Sequence, residues 1–581
     1  MDIIEKINSP KDLKTLTTKE LEQLASEIRK GIINRVNIIG GHLGPDLGIV
    51  EATIALHYVF NSPCDKFVFD VSHQIYPHKI LTGRKHGFFD NERLFEITGY
   101  SNPAESDHDN FIIGHTSTSV SLALGLAKAR DLKKENYNVI ALIGDGSLSG
   151  GEAFEGLNNA AVLDSNFIII INDNEMSIAS NQGGLYKNLA ELRQSKGEAK
   201  NNFFTTFGFN YCYVEEGNNI EKLIETLKKV KDSTKPTVVH IHTLKGKGYL
   251  PAEKNKENYH WCLADFLNQK TASTAPESYE SITVDFALDK KQKQEPIAII
   301  NPATPGAVGF SQDFREKMGK NYIDTAIAEE HAVAFASGLA KNGAKPILAV
   351  LSSFIQRSYD QLSQDLALNS SSAVLLVFWG AIGPMDATHL GIFDIPLISN
   401  IPNIIYLAPT NKEEYLAMLN YAYNQDKHPI AIRVPYGKLI ATGIDDKTDY
   451  SIINKFKVVE KGSHVALIGL GNFYKLALET KEELKKLGIN PTIINPKFIS
   501  GIDKELLEEL KKDHSIVVTL EDGVLAGGFG EKIARFYGDS ETKVLCFGAK
   551  KEFTDRVSLN TLYKRYHLTK ELIADDIRKI L

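Results

Sequence analysis

Strand-length runs of apolar, β-branched residues recur along the whole chain, each followed by an amphipathic stretch of helical period. Val139–Ile143, Phe167–Ile171, Val238–Ile241 and Pro346–Val350 are four of them, and Val374–Val377, Val465–Ile468 and Ile516–Leu520 continue the pattern. A short, continuous apolar run between helices reads as a strand buried on both faces, which is the condition of a parallel sheet. The fold class predicted is therefore α/β, with open, mainly parallel sheets covered by helices on both sides. Composition agrees: 43% of the 581 residues are apolar and 24% charged, which excludes a disordered, collagenous or disulfide-stapled chain.

Two changes in composition suggest boundaries. The polar stretch 268–295 reads as a linker, and so does 438–457, which contains Asp445-Asp446-Lys447-Thr448-Asp449. The domains expected are 1–270, 295–440 and 455–581. With 66 Lys and Arg against 73 Asp and Glu, the net charge is −7, so broad binding to nucleic acid is not expected. No run of 18 apolar residues and no apolar signal-peptide core occur, and Cys64, Cys212, Cys262 and Cys546 are too far apart for a CxxC motif. A reducing, cytoplasmic setting without membrane or nucleic-acid partners is expected.

The sharpest local motif is Gly144-Asp145-Gly146-Ser147, directly after the first of these runs. The next run ends in Asn172-Asp173-Asn174-Glu175, and Asn174 lies 29 residues beyond Asp145, the length of one βαβ unit. Both strand tips of such a unit open onto the carboxyl edge of the sheet. An Asp carboxylate and an Asn carbonyl brought together there make a hard oxygen site of the kind Mg²⁺ prefers. The glycines let the backbone approach a diphosphate closely.

Further segments carry a resemblance. They are Gly40-Gly41-His42-Leu43, the run 70–84 containing Ser72-His73-Gln74, Gly114-His115-Thr116-Ser117-Thr118-Ser119, Gly150-Gly151-Glu152, Met176-Ser177-Ile178, Lys245-Gly246-Lys247-Gly248-Tyr249 and Ala328-Glu329-Glu330-His331-Ala332-Val333. Together they resemble the 1-deoxy-D-xylulose-5-phosphate synthase family of transketolase-like thiamine diphosphate enzymes, over most of the chain. The resemblance implies Mg²⁺ ligands at Asp145, Asn174 and the carbonyl of Met176. It implies that His73, Gly114, His115, Thr116, Gly146 and Ser147 border the diphosphate, that Ile178 wedges a bent cofactor and that Phe354 stacks on its pyrimidine. Glu329 matches the glutamate that, hydrogen-bonded to the aminopyrimidine, favours the imino form that deprotonates the thiazolium; burial would raise its pKa and keep that proton shared. His42, His260 and His389 match positions near the reacting centre, where an imidazole titrating near neutrality can move a proton at a bound carbonyl. A site between domains and a homodimer are also implied.

The acceptor half departs from the family pattern. Phe378 and Tyr436 stand where phosphate-binding arginines are expected, Leu351 replaces a tyrosine, Glu330 replaces a glutamine, and Pro384-Met385-Asp386 shifts an acid by one position. The loop spanning Gln182 to Phe203 is shorter than in the family. Arginine grips phosphate through a charged fork worth about 1.5–3 kcal/mol per hydrogen bond, which Phe or Tyr cannot supply. Lys438, Arg433 and Arg357 are the candidates to replace that charge. Two activities follow: decarboxylating condensation of pyruvate with D-glyceraldehyde 3-phosphate, or the same donor chemistry with a different, unphosphorylated aldehyde. A non-catalytic binding role is opposed by the intact Asp145, Asn174 and Glu329.

Gly469-Leu470-Gly471 follows a strand but lacks the third glycine of a dinucleotide loop. Glu482 and Lys486 stand in the favourable order for an i,i+4 helical ion pair.

Overall fold

A computed structural model describes residues 2–268 and 276–581. The chain divides into two compact units, one comprising Met1–Ser273 with Ala326–Ala328 and the other Thr274–Thr325 with Glu329–Leu581.

The first unit carries β1 (Gly41–His42), β2 (Lys66–Phe69), β3 (Val139–Gly144), β4 (Phe167–Asp173), β5 (Asn210–Val214), β6 (Pro236–His242) and β7 (Trp261–Cys262). Five of them form a fully parallel sheet of order β2-β3-β4-β6-β5. The continuous apolar runs are explained by what covers each face. Ile140, Leu142, Ile168 and Ile170 face a core shared with the helices Thr18–Ile39, Val50–Val59 and Ile220–Val230. Their neighbours Val139, Ala141, Ile143, Ile169 and Ile171 face the helices Ser119–Lys133 and Gly151–Ala160. Alternate side chains thus enter different cores, so neither face tolerates polar residues. A short antiparallel ribbon pairs His42 of β1 with Trp261 of β7.

The second unit carries β8 (Ile297–Asn301), β9 (Tyr322–Asp324), β10 (Lys345–Leu351), β11 (Val374–Phe378), β12 (Ile405–Leu407) and β13 (Ile430–Arg433), a parallel sheet of order β12-β13-β11-β10-β8-β9. It continues with β14 (Lys457–Glu460), β15 (His464–Gly469), β16 (Thr492–Asn495), β17 (His514–Val524) and β18 (Lys543–Ala549) in a sheet of order β14-β16-β15-β17-β18, antiparallel only at the β14 edge. The two sheets share one core, in which Leu348, Val350 and Leu375 meet Ala466, Ile468 and Val517.

Two expectations are corrected, those on the stretch 268–295 and on the Glu482–Lys486 pair. The stretch 268–295 is not a linker throughout: residues 269–275 lie outside the described residues, and Tyr279–Gln292 is a helix. Its Tyr279, Ile282, Phe286 and Ala287 pack on β8 at helical spacing, a periodicity that the polar residues between them conceal. The stretch from Gln182 to Phe203 contains the helix Gly184–Gln194, with Leu189 and Leu192 buried. The Glu482–Lys486 pair does not form; Lys486 bonds Glu483 at 2.8 Å, an i,i+3 pair. The second predicted linker is irregular from 438 to 456 and is tied down where Asp446 accepts from Lys497 at 2.9 Å.

Candidate active site

In the first unit, pairing of Gly144 with Asn172 sets the tips of β3 and β4 side by side. Asp145 follows β3 and is buried, 1% exposed. Its Oδ2 accepts the Met176 N–H at 3.0 Å and the Asn181 side-chain amide at 2.6 Å. The loop carrying both donors closes through a bridge between Met176 and Ser180. A Cβ on Gly146 would come within 2.9 Å of Ser177 Oγ, so the glycine is what lets this loop lie against the turn after β3. Desolvation, followed by the charge of Asp173, pushes the Asp145 carboxyl above its ordinary range. Asp173 is held low, against its own burial, by His240 at 2.9 Å and by Arg193.

This corner fits a hard cation. Asn174 Oδ1 and Asn181 Oδ1 are buried without a hydrogen-bond partner among the described residues, and such atoms cost about 1–3 kcal/mol each when left unsatisfied. No group of three or more His, Cys, Asp or Glu able to hold a metal occurs among the described residues. One carboxylate supplemented by amide and carbonyl oxygens is a donor set for a hard cation such as Mg²⁺, not for a metal that seeks thiolate or imidazole.

The residues 114–118 lead into the helix Ser119–Lys133. Asp70, fully buried, fixes that entry: its two oxygens accept the N–H groups of Ser117 at 2.8 Å and Ser119 at 2.9 Å. Ser117 Oγ in turn donates to the carbonyl of Ser147 at 2.8 Å, so Gly114, His115 and Thr116 are tethered to the Gly146–Ser147 turn. Three of the predicted imidazoles converge. The rings of His42 and His73 lie 4.9 Å apart, those of His42 and His260 5.5 Å, and those of His73 and His260 5.3 Å. Burial pushes the pKa values of His42 and His260 well below the ordinary value, so both rings are neutral. Ile178 is half-buried in the 174–181 loop.

In the second unit, Glu329 opens the helix Glu329–Lys341. The helix dipole favours the anion, but burial to 4% exposure dominates and pushes the pKa up to about 7. Glu329 Oε2 has no hydrogen-bond partner among the described residues; Arg357 Nη1 is 3.7 Å away, too far for a direct bond. A buried carboxyl with an unsatisfied oxygen and a pKa near neutrality fits a group that shares a proton with a heterocyclic nitrogen. Phe354 lies with its ring centroid 5.6 Å from that of His389, whose Nδ1 is 2.9 Å from Thr388 Oγ1.

Sequence reasoning gave no role to Lys245, Tyr186 or Asn181. Lys245 is 2% exposed, and its Nζ donates to the carbonyl of Ser177 at 2.5 Å and to His260 Nδ1 at 3.0 Å; burial pulls its pKa down to about 7. Tyr186 donates to the carbonyls of Asp145 and Gly146, both at 3.2 Å. Lys245 had a signal, standing just after β6 at the carboxyl edge in the segment Lys245-Gly246-Lys247-Gly248-Tyr249. Asn181 and Tyr186 had none.

The altered acceptor positions also resolve. Phe378 ends β11 with its ring 1% exposed in a core with Ile299, Leu376 and Ile432, and Leu351 is buried in the same core. Tyr436 is 42% exposed. Arg433 is not available as a replacement charge: it is buried against Asp394, 2.7 Å from Nε, and against Asp522.

The described sheets and these two clusters define a transketolase-type chain. The pyrimidine binding domain of transketolase matches residues 284–440 and the transketolase C-terminal domain residues 454–573, while the family described as 1-deoxy-D-xylulose-5-phosphate synthase matches 4–202 and 194–243. The chain is 38% identical to the 1-deoxy-D-xylulose-5-phosphate synthase of Caldanaerobacter subterraneus subsp. tengcongensis, covering 99% of this chain and 98% of that protein. It is 37% identical to the synthase of Clostridium beijerinckii, covering 100% of both. Among solved structures it is similar to a transketolase from Campylobacter jejuni, 18% identical, covering 97% of this chain and 100% of that one with a TM-score of 0.45. The chain belongs to the 1-deoxy-D-xylulose-5-phosphate synthase family.

Proposed function

We propose that this protein condenses pyruvate with D-glyceraldehyde 3-phosphate to give 1-deoxy-D-xylulose 5-phosphate and CO₂, with thiamine diphosphate and Mg²⁺. The observation that carries this reading is the match to synthases along the entire chain. The alternative of an unphosphorylated acceptor is not favoured by it.

Asp145, Asn174 and the Met176 carbonyl would hold Mg²⁺, with Asn181 orienting the Asp145 carboxylate. His73, Gly114, His115, Thr116, Gly146 and Ser147 would border the diphosphate, and Lys245 would place a positive charge beside it. Ile178 would wedge the cofactor and Phe354 would stack on its pyrimidine. When bound, thiamine diphosphate supplies a carbon that stabilises the electron pair left by decarboxylation. Glu329, its pKa pushed up to about 7 by burial, carries a proton on a large share of molecules at neutral pH and can share it with a ring nitrogen. His42 and His260, neutral and adjacent, can accept or donate a proton at a bound carbonyl oxygen, and His389 would do so beside Phe354. The small-molecule substrates are the partners. A homodimer in the cytoplasm, and three successive domains in which the helix Tyr279–Gln292 belongs to the middle one, complete the reading. No helix among the described residues is long and apolar enough to cross a membrane.

The test is product formation by the purified protein, followed by mass spectrometry. Carboligation should require thiamine diphosphate, Mg²⁺ and pyruvate. Product formation no faster from D-glyceraldehyde 3-phosphate than from D-glyceraldehyde would overturn the acceptor assignment.

A further inference from the structure

The segment 381–393, which carries His389, leaves the second sheet and is built into the third. Ile382, Leu390 and Ile392 are buried in the core of the third sheet, among Val465, Leu467, Leu520 and Phe547, and Met385 and Phe393 pack against that core. The backbone is fixed on both sides of His389. Ile392 O accepts the Val524 N–H at 2.9 Å, and Met385 O accepts the Arg556 N–H at 2.8 Å. Asp555 Oδ1 accepts the Ala387 N–H at 3.0 Å, and the carbonyl of Asp386 accepts the His389 N–H at 2.9 Å. Arg556 Nε lies 3.8 Å from carboxylate oxygens of both Asp386 and Asp555, so one guanidinium sits between the acid of the loop and the acid that clamps it.

We infer that Asp555 and Arg556 are positioning residues for His389: the third sheet, through these two side chains, sets where the imidazole stands. This rests on the reading of His389 as a residue of the reacting centre. The physical requirement is strict, because proton transfer at a bound carbonyl needs the imidazole within hydrogen-bond reach, and a displacement of about 1 Å costs up to about 100-fold. A four-residue turn such as 386–389 holds its tip only as well as its two ends are held. The Asp555 carboxylate can fix one end because Ala387 offers it a backbone donor, and Arg556 neutralises the two acids thereby brought together.

The experiment compares Asp555→Ala, Asp555→Asn, Arg556→Gly and His389→Ala, each alone, with Asp555→Ala also combined with His389→Ala. Arg556 has φ +50°, a conformation glycine adopts freely, so Arg556→Gly removes the guanidinium without straining the backbone. Expected is a fall in kcat of about 5- to 20-fold for Asp555→Ala and Arg556→Gly, with thiamine diphosphate affinity and melting temperature unchanged. Asp555→Asn, which keeps an acceptor oxygen, should restore most of the loss. In the His389→Ala background, Asp555→Ala should cost nothing further, since it acts through the missing imidazole. A defective His389→Ala beside an unchanged Asp555→Ala would overturn the inference alone. An unchanged His389→Ala would overturn the His389 reading and this inference with it. Full additivity of the two would show a role independent of His389 and also overturn it.

Discussion

Lys245 Nζ stands 3.0 Å from His260 Nδ1. With Lys245 in its ammonium form, which only donates, Nδ1 is the acceptor and the neutral His260 ring carries its hydrogen on Nε2. One buried lysine therefore selects the tautomer of an imidazole that lies among His42 and His73. Lys245→Met should lower kcat by about 10- to 100-fold, the scale on which functional imidazoles depend on the partner that orients them. Stability should hold or rise, because a buried charge with a lowered pKa is being replaced by an apolar chain of similar volume. Carboligation kinetics and thermal melting of the same variant check both halves; a fall in both together would mean the lysine is structural.

Asn181 meets the Asp145 carboxylate with its amide, and its own oxygen has no partner among the described residues. Asn181→Ala removes the group that orients the acid and an oxygen beside the proposed cation site. Mg²⁺ affinity, titrated calorimetrically with thiamine diphosphate present, should fall by about 10- to 100-fold. The fold should be retained, since Met176 N–H still bonds Asp145. Equal Mg²⁺ affinity would place the cation elsewhere.

The sheets were legible because both faces of each are buried, and that forces continuous apolar runs such as Ile168–Ile171. The corner holding Asp145 and Asn174 was legible because a βαβ unit of fixed length brings the tips of its two strands to one edge. Glu329 and the His42, His73 and His260 cluster were legible only through resemblance, since no spacing rule links residues so far apart in sequence. What stayed hidden depends on side-chain direction. An arginine missing at position 378 reads as a lost phosphate contact, but Phe378 faces the core beneath the sheet. Arg433 reads as a free charge, yet two buried acids occupy it. The helix Tyr279–Gln292 was hidden for another reason: its apolar face is narrow, and the composition of its other faces is that of a linker.

Arg433 ties β13 to Asp394, which also accepts the Tyr406 hydroxyl at 2.6 Å, and to Asp522, which Asn472 bonds from the third sheet at 2.7 Å. Burial raises the Asp522 carboxyl, and the arginine is what opposes that rise most strongly. Arg433→Met would leave buried acids without their cation and should cost about 3–5 kcal/mol in denaturant unfolding. Adding Asp394→Asn and Asp522→Asn should recover a large part of it. A single variant as stable as the parent would mean that water, not Arg433, satisfies these acids.

Glu329 gives the cofactor-free protein a pH dependence of defined sign. Burial raises its pKa from the ordinary 4.5 to about 7, so the native state holds the proton more tightly than the unfolded chain. The associated stability is fully present below about pH 4.5 and is lost as pH rises through about 7. At 1.36 kcal/mol per unit, the 2.5-unit difference amounts to about 3 kcal/mol. Gln cannot titrate, so Glu329→Gln removes this dependence while keeping the shape of the side chain. Buried histidines such as His57, with lowered pKa values, change stability in the opposite sense below about pH 6.5, but they contribute equally to both proteins and cancel in the comparison. The stability of the parent relative to Glu329→Gln, measured by denaturation without thiamine diphosphate, should therefore fall between pH 5 and 7 and level off by pH 8. A difference that stays flat over that range would show Glu329 to be ionised throughout, and so unable to hold the proton on which its proposed role depends.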